Sequence, residues 1–234
     1  MPYSYIRENL ARIRAELAET SARVGRVPPR IVAVTKSASD EEVLALAACG
    51  VCAMAENRVP NFRARRELLS CAGYDLPLHL IGSLQTNKVK YIAADAAMIE
   101  SLDSLRLAAE IERQGAKLGR KIPVLIEVNS GGEEAKGGLL PHDVLAFHAA
   151  LSGGEYPHIA LAGLMTMGPA CECEESYRPY FRETRALFER IREAGGFIGD
   201  GVLSMGMSDS YRVATEEGAT AVRIGRALFK TDAP

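Results

Sequence analysis

Short, nearly continuous apolar runs alternate along the chain with amphipathic stretches. The runs are Ile31–Thr35, Val51–Ala55, Leu78–Gly82, Ala97–Glu100, Val124–Asn129, Leu161–Met165, Val202–Met205 and Ala221–Gly225. Aliphatic and β-branched residues fill them with little polar alternation, the pattern of parallel strands buried on both faces. Between them, Asp40–Cys49, Pro60–Ser70, Thr86–Ala93, Ser104–Leu118, Pro141–Leu151, Cys173–Ala194 and Ser208–Glu217 read as helices. Ser39 and Asp103 stand before two of these as N-caps. A further helix, Tyr5–Val24, precedes the first strand and ends at Gly25, a common C-terminal stop. Strands alternating with helices in this number predict an α/β fold, a single (β/α)8 TIM barrel with an extra N-terminal helix, residues 1–234 forming one domain. The alternative is an open doubly wound sheet, but no glycine-rich GxGxxG turn follows the first strand. The glycine-rich segment 131–138 reads as a loop within the domain.

Composition narrows the function classes. Of 234 residues, 47% are hydrophobic and 25% charged, ordinary globular usage that excludes wholesale disorder. Basic residues number 28 and acidic 30, a net charge of -2, so no strong basic field points to a nucleic-acid partner. No apolar run reaches the roughly 18 residues of a spanning helix, so no membrane partner is expected. The first twenty residues mix charge with apolar positions, unlike a secretory signal. An odd number of cysteines, five, together with that absence predicts a reducing, cytoplasmic setting. Cys49 and Cys52 read as small core residues, and Cys171 and Cys173 sit in an acidic loop. The four histidines are scattered without HxH or HExxH spacing, so no metal site is expected. Arg63, Arg65 and Arg66 read as a solvated helix face.

In a parallel barrel the chemistry collects where the strands end. The first strand ends at Lys36, whose ammonium is expected at the mouth of a low-dielectric barrel. Desolvation there would lower its pKa and expose a nucleophilic amine; the plainer alternative is a lysine that snorkels to solvent. The loops after strands seven and eight are a recurrent phosphate site. Here they read Ser204-Met205-Gly206-Met207-Ser208 and Gly225-Arg226, with Arg223 inside the last strand. A reactive lysine opposite a phosphate cradle points to a phosphorylated aldehyde, for which pyridoxal 5'-phosphate (PLP) is the obvious candidate.

Several segments carry a resemblance. They are Ala33-Val34-Thr35-Lys36, Glu56-Asn57, His79 through Lys88, Glu127-Val128-Asn129 with Lys136-Gly137-Gly138, Gly163 through Met167, Leu203 through Asp209, and Val222 through Gly225. In this order and over nearly the whole chain, they resemble the YggS/PROSC family of PLP homeostasis proteins and, more distantly, the barrel domain of alanine racemase. The resemblance implies that Lys36 is the Schiff-base lysine and that Arg223 faces the pyridine nitrogen. It implies that Ser208 and the backbone of Gly225 and Arg226 cradle the phosphate, and that Asn57, His79 and Met205 line the pocket. No residue is assigned a catalytic role. The chain departs from the family pattern at Ala38, Ala55, Arg58, Ser83, Arg226 and Lys230, none of which replaces the Schiff-base lysine or the ring-facing arginine.

The function implied is a PLP-binding carrier that holds the cofactor as a lysine Schiff base in intracellular homeostasis, not an enzyme, with apo PLP-dependent enzymes as partners. The alternative is a PLP-dependent racemase of the alanine racemase type, and a third reading is a Schiff-base aldolase without PLP. Alanine racemase adds a C-terminal β domain that supplies a tyrosine acid/base from its partner subunit. Since the chain runs only a few residues past strand eight, that group is expected to be missing, and a monomer is expected.

Overall fold

The computed structural model describes residues 3–133 and 137–231. Eight parallel strands close in sequence order into a barrel, β1 (Arg30–Val34), β2 (Ala53–Glu56), β3 (Leu78–Leu80), β4 (Met98–Leu102), β5 (Ile122–Val128), β6 (Ile159–Thr166), β7 (Val202–Ser204) and β8 (Ala221–Ile224). β1 pairs with both β2 and β8, which closes the ring and leaves no sheet edge. The helices are α1 (Ser4–Arg23), α2 (Asp40–Ala48), α3 (Val59–Cys71), α4 (Leu105–Leu118), α5 (Val144–Ser152), α6 (Arg178–Glu193), α7 (Tyr211–Glu216) and α8 (Arg226–Phe229).

Strand alternation divides the core into two layers. Ile31, Ala33, Met54, Leu78, Leu80, Ile99, Leu203, Val222 and Ile224 pack outward with the buried helix faces. Their neighbours in the sequence pack inward. Val32, Val34, Ala53, Ala55 and Ala221 form one interior cluster, and Leu125, Ala162 and Met165 form another. Most strands therefore carry apolar residues on both faces, which is why the runs read as nearly continuous. Gly163 takes φ +152°, and a Cβ there would lie 1.9 Å from the Val202 carbonyl oxygen. It sits where the β5–β6 register shifts, so a glycine lets β6 approach β7 across an irregularity.

All of the expected strands form, with ends that move by a few residues. The helix expected over Thr86–Ala93 is instead a 3-10 segment over Thr86–Tyr91. Only Val89 is buried within it, so no apolar stripe supports a full α-helix. The cap of α4 is Ser104 rather than Asp103, since the Ser104 hydroxyl accepts from Leu107 N–H at 3.4 Å. Ser39 does cap α2, reciprocally with Glu42. Gly25 follows α1 at φ +66°, the left-handed conformation that ends a helix. α8 is a single turn that the sequence pattern missed.

Cys52 is exposed rather than in the core. Arg65 is buried rather than on a solvated face, because its guanidinium reaches Glu56 at 3.2 Å and Asp40 at 2.9 Å. Among the described residues no helix is long and apolar enough to cross a membrane.

Candidate functional site at the C-terminal mouth of the barrel

Lys36 lies just beyond β1, in the inward register of Val32 and Val34. Its side chain reaches a cavity of about 710 Å3 at the mouth, which Val34, Ser208, Gly225 and Arg226 also line. The lysine is exposed at the rim of the mouth, the placement of the snorkelling alternative. The turn that carries it is held from beneath. Arg65 Nη2 donates to the carbonyls of Thr35 and Ala38 at 3.4 and 3.3 Å, bracketing Lys36 and Ser37. Thr35 Oγ1 donates to Glu56 Oε1 at 2.7 Å, and Arg65 Nε donates to the same oxygen. Removing Arg65 would leave the Glu56 carboxylate buried without a countercharge, whereas without Glu56 the guanidinium would keep Asp40.

Across the cavity, the loop after β7 meets the loop after β8. Gly206 takes φ +91°, and a Cβ there would lie 2.4 Å from the Ala214 methyl. Only glycine allows that turn. Ser208 Oγ accepts from Ala227 N–H at 3.2 Å and ties the two loops together. The hydroxyl keeps its own O–H for a ligand oxygen. Arg226 turns outward, with its side chain 81% exposed and paired with Asp209.

Below the mouth, a buried polar chain crosses the barrel. His79 Nδ1 meets Glu100 Oε1 at 2.7 Å. Ser204 Oγ donates to Glu100 Oε2 at 2.7 Å and accepts from Arg223 Nη1 at 2.7 Å. Arg223 also donates to the carbonyls of Ser204 and Thr166, at 2.8 and 2.7 Å. Burial alone would raise the Glu100 carboxyl. The hydrogen bond and charge of His79, the Arg223 charge and the Ser204 hydroxyl overcome that and hold it below the usual carboxylate range. Burial lowers the Arg223 guanidinium from its ordinary value, against the pull of Glu100 and Glu127. Even so, an arginine stays charged at neutral pH. Its hydrogen bonds to the protein leave N–H donors unspent, so it can meet a ligand acceptor.

Glu127 faces inward near the C-terminal end of β5, diametrically opposite β1 in the ring. Burial pushes its carboxyl up to about 7, helped by the Asp103 charge and opposed by Arg223. A carboxyl poised near neutrality at a barrel mouth is a proton donor or acceptor in waiting.

The expected site residues thus divide. Lys36, Ser208, Gly225 and Arg226 share the mouth cavity. Arg223 lies inside, one inward position before Gly225. Asn57 follows β2 in the inward register, half-buried, and its carbonyl oxygen would be 2.2 Å from a Cβ on Gly82, so the two loops touch. His79 is interior but borders a second cavity at the opposite end of the barrel. Met205 is fully buried in the outer layer with Leu203 and does not line the mouth cavity. Since Ser204 points inward, alternation turns Met205 outward. Lys136 lies outside the described residues. Sequence reasoning missed Glu100, Ser204 and Glu127 as site members. The available signal was an acidic residue inside an otherwise apolar strand. Among the described residues no group of three or more His, Cys, Asp or Glu side chains could hold a metal ion.

This geometry defines a (β/α)8 barrel with its polar site at the strand C-termini. The family model for the alanine racemase N-terminal domain matches residues 8–233. The pyridoxal phosphate homeostasis protein of Aquifex aeolicus is 40% identical over 95% of this chain and 96% of its own length. A solved protein of unknown function from Bifidobacterium adolescentis superposes with TM-score 0.87 at 33% identity, covering 96% of this chain and 94% of that one. PipY of Synechococcus elongatus, solved with PLP bound, superposes with TM-score 0.81 at 28% identity, covering 96% of this chain and all of that one. The chain belongs to the alanine racemase N-terminal domain family, within its pyridoxal phosphate homeostasis branch.

Proposed function

We propose that the protein binds pyridoxal 5'-phosphate at the barrel mouth and holds it in intracellular PLP homeostasis, as a carrier and not a catalyst. The observation that carries this reading is the convergence of Lys36, Ser208 and Gly225 on one cavity, in a chain whose relatives include a PLP homeostasis protein and a PLP-bound structure. The cofactor brings an aldehyde that condenses with a primary amine, with loss of water. In this reading the amine is Lys36 Nζ, and the bond is a Schiff base.

The remaining residues orient the cofactor. Ser208 donates to a phosphate oxygen, and Gly225 and Arg226 present backbone N–H groups where no Cβ intervenes at Gly225. Arg223 faces the ring nitrogen and, as a fixed cation, keeps it unprotonated. That makes the ring a poor electron sink and favours holding the cofactor over carbanion chemistry. Asn57 borders the ring from the end of β2. The setting is the cytoplasm, and apo PLP-dependent enzymes are the receivers.

A second reading, amino-acid racemisation, draws on Glu127. It places a titrating carboxyl on the strand opposite that of Lys36, where two-base proton exchange needs a second group. Racemase assays with alanine and serine separate the two readings. The carrier reading expects turnover no higher than that of free PLP. Robust racemisation lost in Lys36→Ala and in Glu127→Gln would establish the enzyme instead.

A further inference from the structure

The interior of a (β/α)8 barrel is ordinarily filled by layers of bulky branched side chains. Here the lower part is not filled. Ala53, Ala162 and Ala221 stand at inward positions toward the strand N-termini. A cavity of about 610 Å3 opens there, away from Lys36, bounded by Val32, Met98 and Leu125 among other apolar groups. No residue lines both this cavity and the one at the mouth.

His79 and Glu100 are the interior polar groups of the cavity wall, and the exposed Arg30, Asp200 and Thr220 also line it. His79 lines it, with its side chain 15% exposed, and Glu100 stands beside it. The Glu100 carboxylate is buried and fixed by Ser204 on its other oxygen. With Glu100 ionised, His79 Nδ1 is the donor in their 2.7 Å contact. In its neutral form the imidazole carries its lone pair on Nε2, for which no protein partner is found among the described residues. Such a volume lies in the range of small-molecule sites, and a largely apolar wall with a few placed polar groups is their usual chemistry. Leucine or isoleucine at the alanine positions would have closed the space.

We propose that this lower cavity is a second ligand site, for a small uncharged aromatic compound bearing a hydroxyl that donates to His79 Nε2. The wall supplies the apolar contact and the imidazole supplies selectivity. The Glu100 carboxylate also lines this cavity and is held in its charged form.

The test titrates 4-methylphenol and toluene into isotopically labelled full-length protein at pH 8, with NMR detection of the His79 ring and the alanine methyls. 4-Methylphenol is expected to shift His79 and Ala162 saturably, and toluene to bind about five- to tenfold more weakly, the value of one hydrogen bond. His79→Phe should bind the two probes equally. Ala162→Leu should bind neither, and if it fails to fold, the probe pair on the wild-type chain still decides. No saturable shift at His79 or Ala162 would overturn the proposal, as would equal affinity of the two probes for the wild-type chain. PLP occupancy of the mouth does not enter this readout, so failure here leaves the carrier reading standing.

Discussion

Ser204 joins Glu100 to Arg223, donating to the carboxylate and accepting from the guanidinium, with both bonds at 2.7 Å. The two charges themselves stand 4.0 Å apart, each almost wholly buried. The pair fixes Arg223 in the barrel interior, so the orientation of a cation toward the mouth depends on an acid below it. Breaking a buried pair from one side costs about 3–5 kcal/mol, since the other charge is left uncompensated. Glu100→Gln should therefore destabilise the protein by roughly that amount in urea unfolding. Adding Arg223→Gln to Glu100→Gln should recover part of the loss. Because the Glu100 carboxyl is held below its usual range, its contribution is present above the ordinary carboxylate pKa. It is lost as pH falls through the lowered value.

Glu127 works in the opposite direction. Its carboxyl is raised to about 7, so the native state holds a proton that the unfolded chain has already released. Its stabilising share is complete below the unfolded value and disappears as pH rises through about 7. Glu127→Gln removes this dependence. The variant should match the wild type near pH 4 and exceed it at pH 8, by on the order of 2–3 kcal/mol. Equal urea midpoints for the two proteins across that range would contradict a raised Glu127.

The fold was legible because most strands are apolar on both faces, and the alternation with helices leaves few topologies. Lys36 and the glycine-bearing loops were legible because they stand immediately after such runs. What escaped was the direction of side chains within the runs. Glu100 looked like a strand end and Glu127 one more position of a continuous run, and only closure of the barrel shows that they face inward. Counting by twos would have assigned Met205 to the outer layer from Ser204. It fails elsewhere, because the register slips between Ile99 and Leu102 and again beside Gly163. The Arg65 clamp was hidden for another reason. Arg65 falls on the helix face of Phe62 and Leu69, unlike Arg63 and Arg66, but a lone arginine on such a face does not name its partner, and Glu56 is nine residues away.

Arg226 should be nearly silent. Its side chain is exposed and its ion pair with Asp209 is a rim contact, a kind worth at most about 1 kcal/mol. Arg226→Ala should retain PLP as the wild type does in equilibrium dialysis, at low and at moderate salt. Ser208→Ala should weaken PLP but leave pyridoxal unchanged, since only the phosphorylated form reaches that hydroxyl. Retention of pyridoxal as tight as that of PLP by the wild type would remove the cradle after β7 and β8.

The central claim is a covalent link at Lys36, and the most direct test combines spectroscopy with mass mapping. Wild-type protein loaded with PLP should absorb near ~420 nm, the band expected of a lysine-bound cofactor. Borohydride should bleach the band and fix the pyridoxyl mass on the peptide containing Lys36. Lys36→Ala should fold normally, because the side chain is exposed and packs little, and should show neither band nor label. Labelling of another lysine, such as Lys88 or Lys136, or an undiminished band in Lys36→Ala, would contradict the account.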